Sequence, residues 1–535
     1  MRRHSNHYQY CLSIYLIFVV ALLSACDQAL PPVPATEAFP EQTASPVPDA
    51  SPTASAPSAT PTGTATPAYQ VDVQVDNLRG TILHFWYPWS GPLGKAVQSL
   101  IEEFNLNNEW GIVVVPVPQA SFDDLYANLK TASESGQTPD LVVTYPHQAL
   151  DWEKTRDLVD LRAYVGDPVW GFTADEQADF YPAFWEQDVL DGVRLAIPAQ
   201  RYGQVLYYNT TWARELGYSI TPVLPGQFQE QACAAARFNL QDGQPENDGT
   251  GGWIVSTDYA AMLGWIYSFG GEIVKTPEPS LDQPVYQFNT PEMEETFTFL
   301  RGLYDEGCAW LAESEYPQAE FASRLGLFAT GSTADIAQQA EALRRAGNAD
   351  QWTAIPFPSP TMNSAINVYG PSFNILPSSP ERQLAAWLLL KWLVDPRNQA
   401  RMAEAGGAFP VRRSALSELE GYQSRYPQWA AALEQLARAR SEPQFQSWGT
   451  VRWALSDAST QLFRSYFTID QLPKLLAYLD QVAADLHIGP ELSGVYHTPT
   501  HTPTPSPTAT RTPPPTATVR PTRTPRPTAS STSVP

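Results

Sequence analysis

The sequence predicts an α/β protein with enough folded chain for two large lobes, and three observations carry that expectation. Between residues 81 and 144, short apolar runs alternate with amphipathic stretches of helical period, the pattern of a βαβαβ unit with a parallel sheet. Further on, two strand-like runs, Leu195–Ile197 and Val205–Tyr208, flank the loop Ala199-Gln200-Arg201-Tyr202-Gly203. Their branched and aromatic content and their shortness suit buried strands rather than helices. Finally, the chain has 535 residues, and about 425 of them, from roughly 70 to 496, lie between polar tracts, sufficient for two lobes with their own cores.

The flanks differ from that core. Residues 31–68 are mostly Pro, Ala, Thr and Ser, and 498–535 is a Thr/Pro tract carrying Arg511, Arg520, Arg523 and Arg526. Neither holds enough apolar side chain to offset the entropy of ordering, so both are expected to be extended, with polyproline character. The formal net charge of −23 argues against nucleic acid and against broad adhesion to anionic lipid.

The first residues form an export signal. Arg2, Arg3 and His4 precede the apolar stretch Leu12–Leu23, too short for a stable membrane span. Leu23-Ser24-Ala25-Cys26 resembles the bacterial lipobox, in which small residues precede the cut and a thiol accepts diacylglycerol. That resemblance implies a signal peptide over 1–25, lipidation at Cys26, and a stalk over 26–69 holding the core outside the cytoplasmic membrane. Cys11 would leave with the signal. Cys233 and Cys308 remain, either as a disulfide or as two buried free thiols, and an oxidising compartment favours the disulfide.

Along the core, Thr81–Trp86 is expected as a strand, Lys95–Asn105 as a helix with Val97, Leu100, Ile101 and Phe104 on one face, and Ile112–Val117 as a strand. The helix Phe122–Ser133 and the strand Asp140–Thr144 follow. The runs FWYPWSGPLGKAVQSLIEEFN and SGQTPDLVVTYPHQ resemble the opening of the family 1 extracellular solute-binding proteins of sugar ABC transporters. The resemblance implies a two-lobed, type II periplasmic-binding-protein-like fold, each lobe a mainly parallel sheet flanked by helices and joined by a hinge. It extends over nearly all of 78–487. In that family the loops after the first and third strands reach the ligand, which by position gives Trp89, Ser90, His147 and Gln148. The rule that ligands sit at strand carboxyl ends of open α/β sheets agrees. Trp86, inside its run, reads as core, whereas Trp89, beyond Pro88, is assigned to the site, where its ring would stack on a sugar face.

The stretch LAIPAQRYGQVLYYN resembles the first interlobe crossing of the family and adds Arg201 and Tyr202. Asn209, Thr210 or Thr211 can cap the following helix, and Gly217 suits its end. Within QDGQPENDGTGGW, Asp242, Asn247 and Asp248 lack the spacing of a calcium loop and read as a glycine-rich turn rather than a metal site. Trp265, on the helix Met262–Phe269, is either core or ligand contact. The helix Pro291–Glu306 and the strand and turn FASRLGLFATGST also resemble family segments, and imply ligand contacts at Ser332 and Thr333. Trp352–Pro358 is expected as the second crossing, and NVYGPSFNILP as a strand re-entering the first lobe, with Tyr369 and Gly370 at the ligand. Pro380–Gly406 is helical with an interruption at Pro396. Arg412 and Arg413, in GGAFPVRRSAL, are expected to be salt-bridged rather than ligand contacts. Residues 422–486 are mainly helical, and the loop before Trp448 makes that ring a candidate. Lobe I is thus expected over 78–205 and 358–415, and lobe II over 206–357 and 416–496.

Catalytic motifs are missing from the sequence: G-x-S-x-G, a Walker loop and H-E-x-x-H do not occur, and the core histidines His84, His147 and His487 are scattered, with no metal-ligand pair at helical spacing. Adjacent acidic pairs such as Glu102-Glu103 do not face each other on a helix. The sequence therefore suggests no enzyme, no cofactor and no metal. It suggests a monomeric lipid-anchored binding protein that takes a sugar, oligosaccharide or related polyol and works with a permease carrying cytoplasmic ATPases. A glycoside hydrolase with distant carboxylates and a passive carbohydrate-attachment module are the alternatives.

Overall fold

The computed structural model describes residues 71–153, 158–190, 192–275, 285–314 and 316–492. The signal peptide, Cys26, the stalk and the tail over 498–535 lie outside these residues. The chain opens with β1 (Ile82–Tyr87), α1 (Gly91–Asn107), β2 (Val113–Pro118), α2 (Phe122–Ser135), β3 (Leu141–Thr144) and α3 (Pro146–Glu153). Helix α1 buries Leu93, Val97, Leu100, Ile101 and Phe104, an i, i+3/i+4 stripe that packs on the sheet. Helix α2 is capped by the Ser121 side chain, which accepts from the Asp124 N–H. Strands β2 and β3 both run parallel to β1, the expected βαβαβ unit.

The middle of the chain supplies β4 (Ile197–Pro198), β5 (Tyr202–Asn209), α4 (Pro225–Gln241), β6 (Gly251–Ile254), α5 (Tyr259–Ser268), α6 (Pro291–Asp305), β7 (Ala309–Trp310), β8 (Gly326–Ser332), α7 (Ile336–Arg345) and β9 (Trp352–Ile355). The short helix after β5 is capped by Asn209, whose side chain accepts from the Trp212 N–H. There follow β10 (Ile366–Tyr369), β11 (Ser372–Ile375), α8 (Pro380–Leu393), α9 (Pro396–Gly406), β12 (Ala439–Ser441), α10 (Trp448–Leu462) and α11 (Leu472–Leu492). Asp395 caps α9, so the interruption expected at Pro396 is a true helix boundary. No helix among the described residues is long and apolar enough to cross a membrane.

Two main sheets result. The first has the order β2-β1-β3-β11-β4; the second has the order β7-β6-β8-β5-β10-β12, with β9 also paired to β5. Both are mixed rather than mainly parallel. In the first, β11 runs antiparallel to β3 and to β4. In the second, β5 is antiparallel to β8, β9 and β10. The chain enters the second sheet through β5 and returns along its flank, so the crossing strand opposes its neighbours.

The first crossing falls inside the stretch 195–209 expected for it, with a different lobe boundary, and the second sits elsewhere than expected. The first lies between Pro198 and Tyr202, and the 205/206 boundary falls inside one continuous strand. Residues 352–355 do not cross; they pair with β5 inside the second sheet. The apparent strand over 367–377 is two strands, with β10 in the second sheet and β11 in the first. The switch occurs at Gly370-Pro371. Pro371 has no N–H for a ladder, and Gly370 holds φ +152° with its Cα against the Gln200 carbonyl, where a side chain would clash. Strand-like residues on both sides mask that Gly-Pro break.

An extended apolar cluster joins the first sheet, α1, α8 and α9 to Val205, Tyr207, Val368 and Trp352 of the second. A second cluster, rich in rings, fills the far side of the second sheet with Trp212, Phe228, Trp253, Trp265, Phe328 and Trp448. Cys233 and Cys308 form a disulfide between α4 and the turn that follows α6.

Candidate ligand-binding site

The sheets meet at their functional edges. Strands β1 and β3 end at Tyr87 and Thr144, and the crossings 199–201 and 370–371 run past the same edge. From the second sheet, the carboxyl ends of β6, β8 and β10 arrive there with Ser256 and Asp258, Ser332, and Tyr369. A cavity of about 200 Å³ opens on the second sheet's side of this edge. Its walls include Gln204, Tyr207, Asp258, Ser332, Asp335 and Tyr369.

Local folding fixes each wall. Ser332 closes β8 and caps the turn into α7, its hydroxyl accepting from the Ala334 N–H at 3.2 Å. Asp335 reciprocates by accepting from the Ser332 N–H at 3.3 Å. Tyr369 donates its hydroxyl to Ser332 Oγ at 2.9 Å and accepts from Gln204 Nε2 at 3.2 Å. Tyr207 donates to the Ser332 carbonyl at 2.5 Å. Asp258 caps α5 by accepting from the Ala260 N–H at 2.8 Å. Burial raises the Asp335 carboxyl above its ordinary pKa, opposed by the Ser332 N–H. Among the described residues, no lysine, arginine or histidine lines this cavity.

A second polar cluster sits where the first sheet's loops face α10. Tyr145 and His147 stack with ring centres 5.8 Å apart. From the other side come Glu442, which accepts from the Trp448 indole at 2.9 Å, and Arg452, which donates to the Tyr259 hydroxyl at 3.2 Å. Burial pushes the Glu442 carboxyl up to about 7, against the pull of the Trp448 hydrogen bond and the Arg452 charge.

The structure distributes the sequence-predicted residues unevenly. Ser332 and Tyr369 line the cavity. Thr333 is wholly buried beside it and accepts from the Gly203 N–H. Tyr202 stands 6.0 Å from the Tyr369 ring and donates to Gln200. Gly370 forms the crossing, and Gln148 is buried with its side chain on the Tyr145 N–H. Ser90 is exposed at the start of α1.

Three aromatic candidates are packed instead into cores. Trp89 is only 7 % exposed and meets Phe373 edge-on at 6.1 Å. Helix α1 starts at Gly91, earlier than the periodicity suggested, which shortens the loop and draws the ring under the helix. Trp86, read as core, is the more exposed of the two, packed only partly against a smaller cluster. Trp265 is fully buried against Phe228, Trp253 and Phe357. Trp448 is 1 % exposed and packs in the ring-rich core, with its indole N–H on Glu442.

Arg201 is also internal. Its guanidinium is completely buried, pairs with Asp188 at 3.1 Å, and donates to the Pro371 carbonyl and to Ser372 Oγ. It therefore stitches the two crossings together rather than facing a ligand. Arg412 pairs with Asp179 at 2.7 Å. Asp242 accepts from the Gln244 N–H and from the Asn247 side chain, as a turn residue does.

Sequence reasoning missed Gln204, Tyr207, Asp258, Asp335, Glu442 and Arg452. Asp258 was accessible in principle, since it directly follows a strand and caps the next helix. The others depend on which strand faces which.

Comparison with known proteins agrees with this architecture. Residues 99–429 match the family described as bacterial extracellular solute-binding protein. The sn-glycerol-3-phosphate-binding periplasmic protein UgpB of Salmonella typhimurium is 23 % identical over 362 residues, 65 % of this chain and 78 % of that protein. UgpB of Escherichia coli K12 is 21 % identical over 369 residues, 66 % and 80 % respectively. Among solved structures, the sugar-binding protein MalE from Xanthomonas citri superposes with TM-score 0.64 at 20 % identity, covering 76 % of this chain and 97 % of that one. UgpB from Mycobacterium tuberculosis in complex with glycerophosphocholine gives 0.61 at 18 %, covering 76 % and 100 %.

Proposed function

Because this chain belongs to the bacterial extracellular solute-binding proteins, we propose that it is the substrate-binding component of an ABC importer for a neutral sugar or related polyol. It holds the ligand at the edge of the second sheet that lies beside the crossings, and hands it to a membrane permease with cytoplasmic ATPases. The observation that carries the choice of ligand is the cavity wall: hydroxyls, amides and two carboxylates, with no basic side chain. Carboxylates accept from sugar hydroxyls and repel a phosphate, and the two helix starts that open on the cavity are already occupied by Asp258 and Asp335. Its volume of about 200 Å³ is below the roughly 300–1,000 Å³ of sites for drug-sized ligands, which favours one sugar ring.

The relatives divide on this point, since UgpB is named for a glycerol phosphate and MalE for sugar. The wall chemistry supports the sugar side for this chain. No catalytic role is assigned to Asp258 and Asp335, because each already caps a turn or helix. The lobes we divide at the crossings near 199–201 and 370–371, about which they close as hinges. The protein acts as a monomer held outside the membrane by lipid on Cys26.

A thermal-shift screen of the full chain against monosaccharides, disaccharides, polyols and sn-glycerol 3-phosphate tests the reading. A ligand at about 100 times its Kd adds about 2.7 kcal/mol, so a neutral saccharide should raise Tm clearly. A larger shift with the phosphate ester than with every neutral compound would overturn the choice of ligand.

A further inference from the structure

His147 stands outside the cavity wall, yet it is placed where the two halves touch. It follows β3 of the first sheet, at the second position of α3, while Gly449 is the second residue of α10, packed beneath the second sheet. A Cβ on Gly449 would lie 2.8 Å from His147 Cδ2 and 3.4 Å from Nε2. The missing side chain is what lets the imidazole seat against the helix. The ring is 9 % exposed and stacks on Tyr145. No described residue hydrogen-bonds either ring nitrogen, so the contact offers a proton on that ring no acceptor.

The surrounding charges point the same way. Arg452, three residues beyond Gly449 on α10, opposes a second positive charge. Glu442, from the end of β12, faces Arg452 and Tyr145; its carboxyl holds a proton below about 7 and so supplies little counter-charge in acid. Asp151, one turn on in α3, is engaged by Tyr126 and by Gln446. Tyr259 is occupied by Arg452.

We infer that His147 and Gly449 form a proton-sensitive latch: the halves close over a neutral imidazole, and acid opens the cleft. The inference rests on the hinge-closing reading proposed above. An imidazole free of the contact titrates near its ordinary value of about 6.5. In the contact, burial first and then the Arg452 charge hold it down to about 3. A base whose pKa is depressed by closure favours the closed form where it is neutral. That advantage is complete above about 6.5 and falls about tenfold per pH unit as the pH drops from there towards 3. Glu442 has the opposite sign. Its raised value favours the buried state in acid, and that preference fades as pH rises through about 7. Its hydrogen-bond donor Trp448 and neighbouring Arg452 are on α10, in its own half.

The test is a pulsed-EPR distance between spin labels at Gln98→Cys and Asp457→Cys, exposed positions on α1 and α10. It uses the full chain with Cys11→Ser and Cys26→Ser. Between pH 7.5 and 5.5 the closed-to-open ratio should fall about tenfold. His147→Gln should abolish that fall, leaving at most a weak opposite trend from Glu442. Gly449→Ala should be open at both pH values. An unchanged ratio in the parent protein, or the same fall in His147→Gln, would overturn the latch. If Gly449→Ala opens the cleft while pH does not, the latch fails and hinge closure stands; if neither has an effect, hinge closure fails as well.

Discussion

Tyr369 ties the strand that closes the second sheet to the mouth of the cavity, through Ser332 on one side and Gln204 on the other. Tyr369→Phe removes both bonds and any bond to ligand while keeping the ring. A neutral hydrogen bond contributes about 0.5–1.5 kcal/mol, so calorimetry should show affinity weakened by up to about tenfold, and the two lost internal bonds should also lower Tm without ligand by a few degrees. The buried rings behave differently. Trp265→Ala and Trp89→Ala each open a hole in a packed core, and such truncations cost about 3–5 kcal/mol. Denaturant unfolding of the ligand-free protein should record that loss. A Trp89→Ala variant of unchanged stability would return that ring to the cleft. Spacing alone could not separate these rings from ligand contacts, because an indole after a strand has the same sequence signature whether it turns into a core or a cleft. The deciding fact is where α1 begins, and Gly91-Pro92 carries that start.

At the scale of elements, the disulfide joins α4 to the turn after α6 across a sequence separation of 75 residues. Closing a loop of that length removes about 4 kcal/mol of unfolded-state entropy in the chain-entropy picture. Reduction, or Cys233→Ala with Cys308→Ala, should therefore lower the melting temperature by several degrees and leave ligand affinity nearly unchanged, because the bridge lies beyond the cavity wall. Most elements were legible from period and caps: the opening βαβαβ unit, α6, and the break at Pro396 all follow from local signals. Sheet membership was not. The run 367–377 has strand character on both sides of Gly370 and Pro371, so its division between two sheets is marked in the sequence by those two residues. Residues 352–355 carry strand character without any mark of their partner, and only pairing with β5 decides it.

For the whole molecule, the two-sheet architecture was legible because export signal, length and the order of loose motifs act together. The cavity was less so, since its walls come from β5, β6, β8 and β10, brought to one edge only by the fold. The proposed anchoring rests on a separate feature, the lipobox-like run Leu23–Cys26. Cys26→Ser should move the protein from the membrane fraction to the soluble one without altering ligand binding, and fractionation with immunoblotting checks it. The most direct test of the central claim is calorimetric titration of the best saccharide from the thermal screen into the full chain and into Asp335→Asn. The account expects one site per chain, affinity at least about tenfold weaker in the variant, as for a hydrogen bond to a charged group, and no displacement by sn-glycerol 3-phosphate. Equal affinity in the two proteins, or displacement by the phosphate ester, would contradict it.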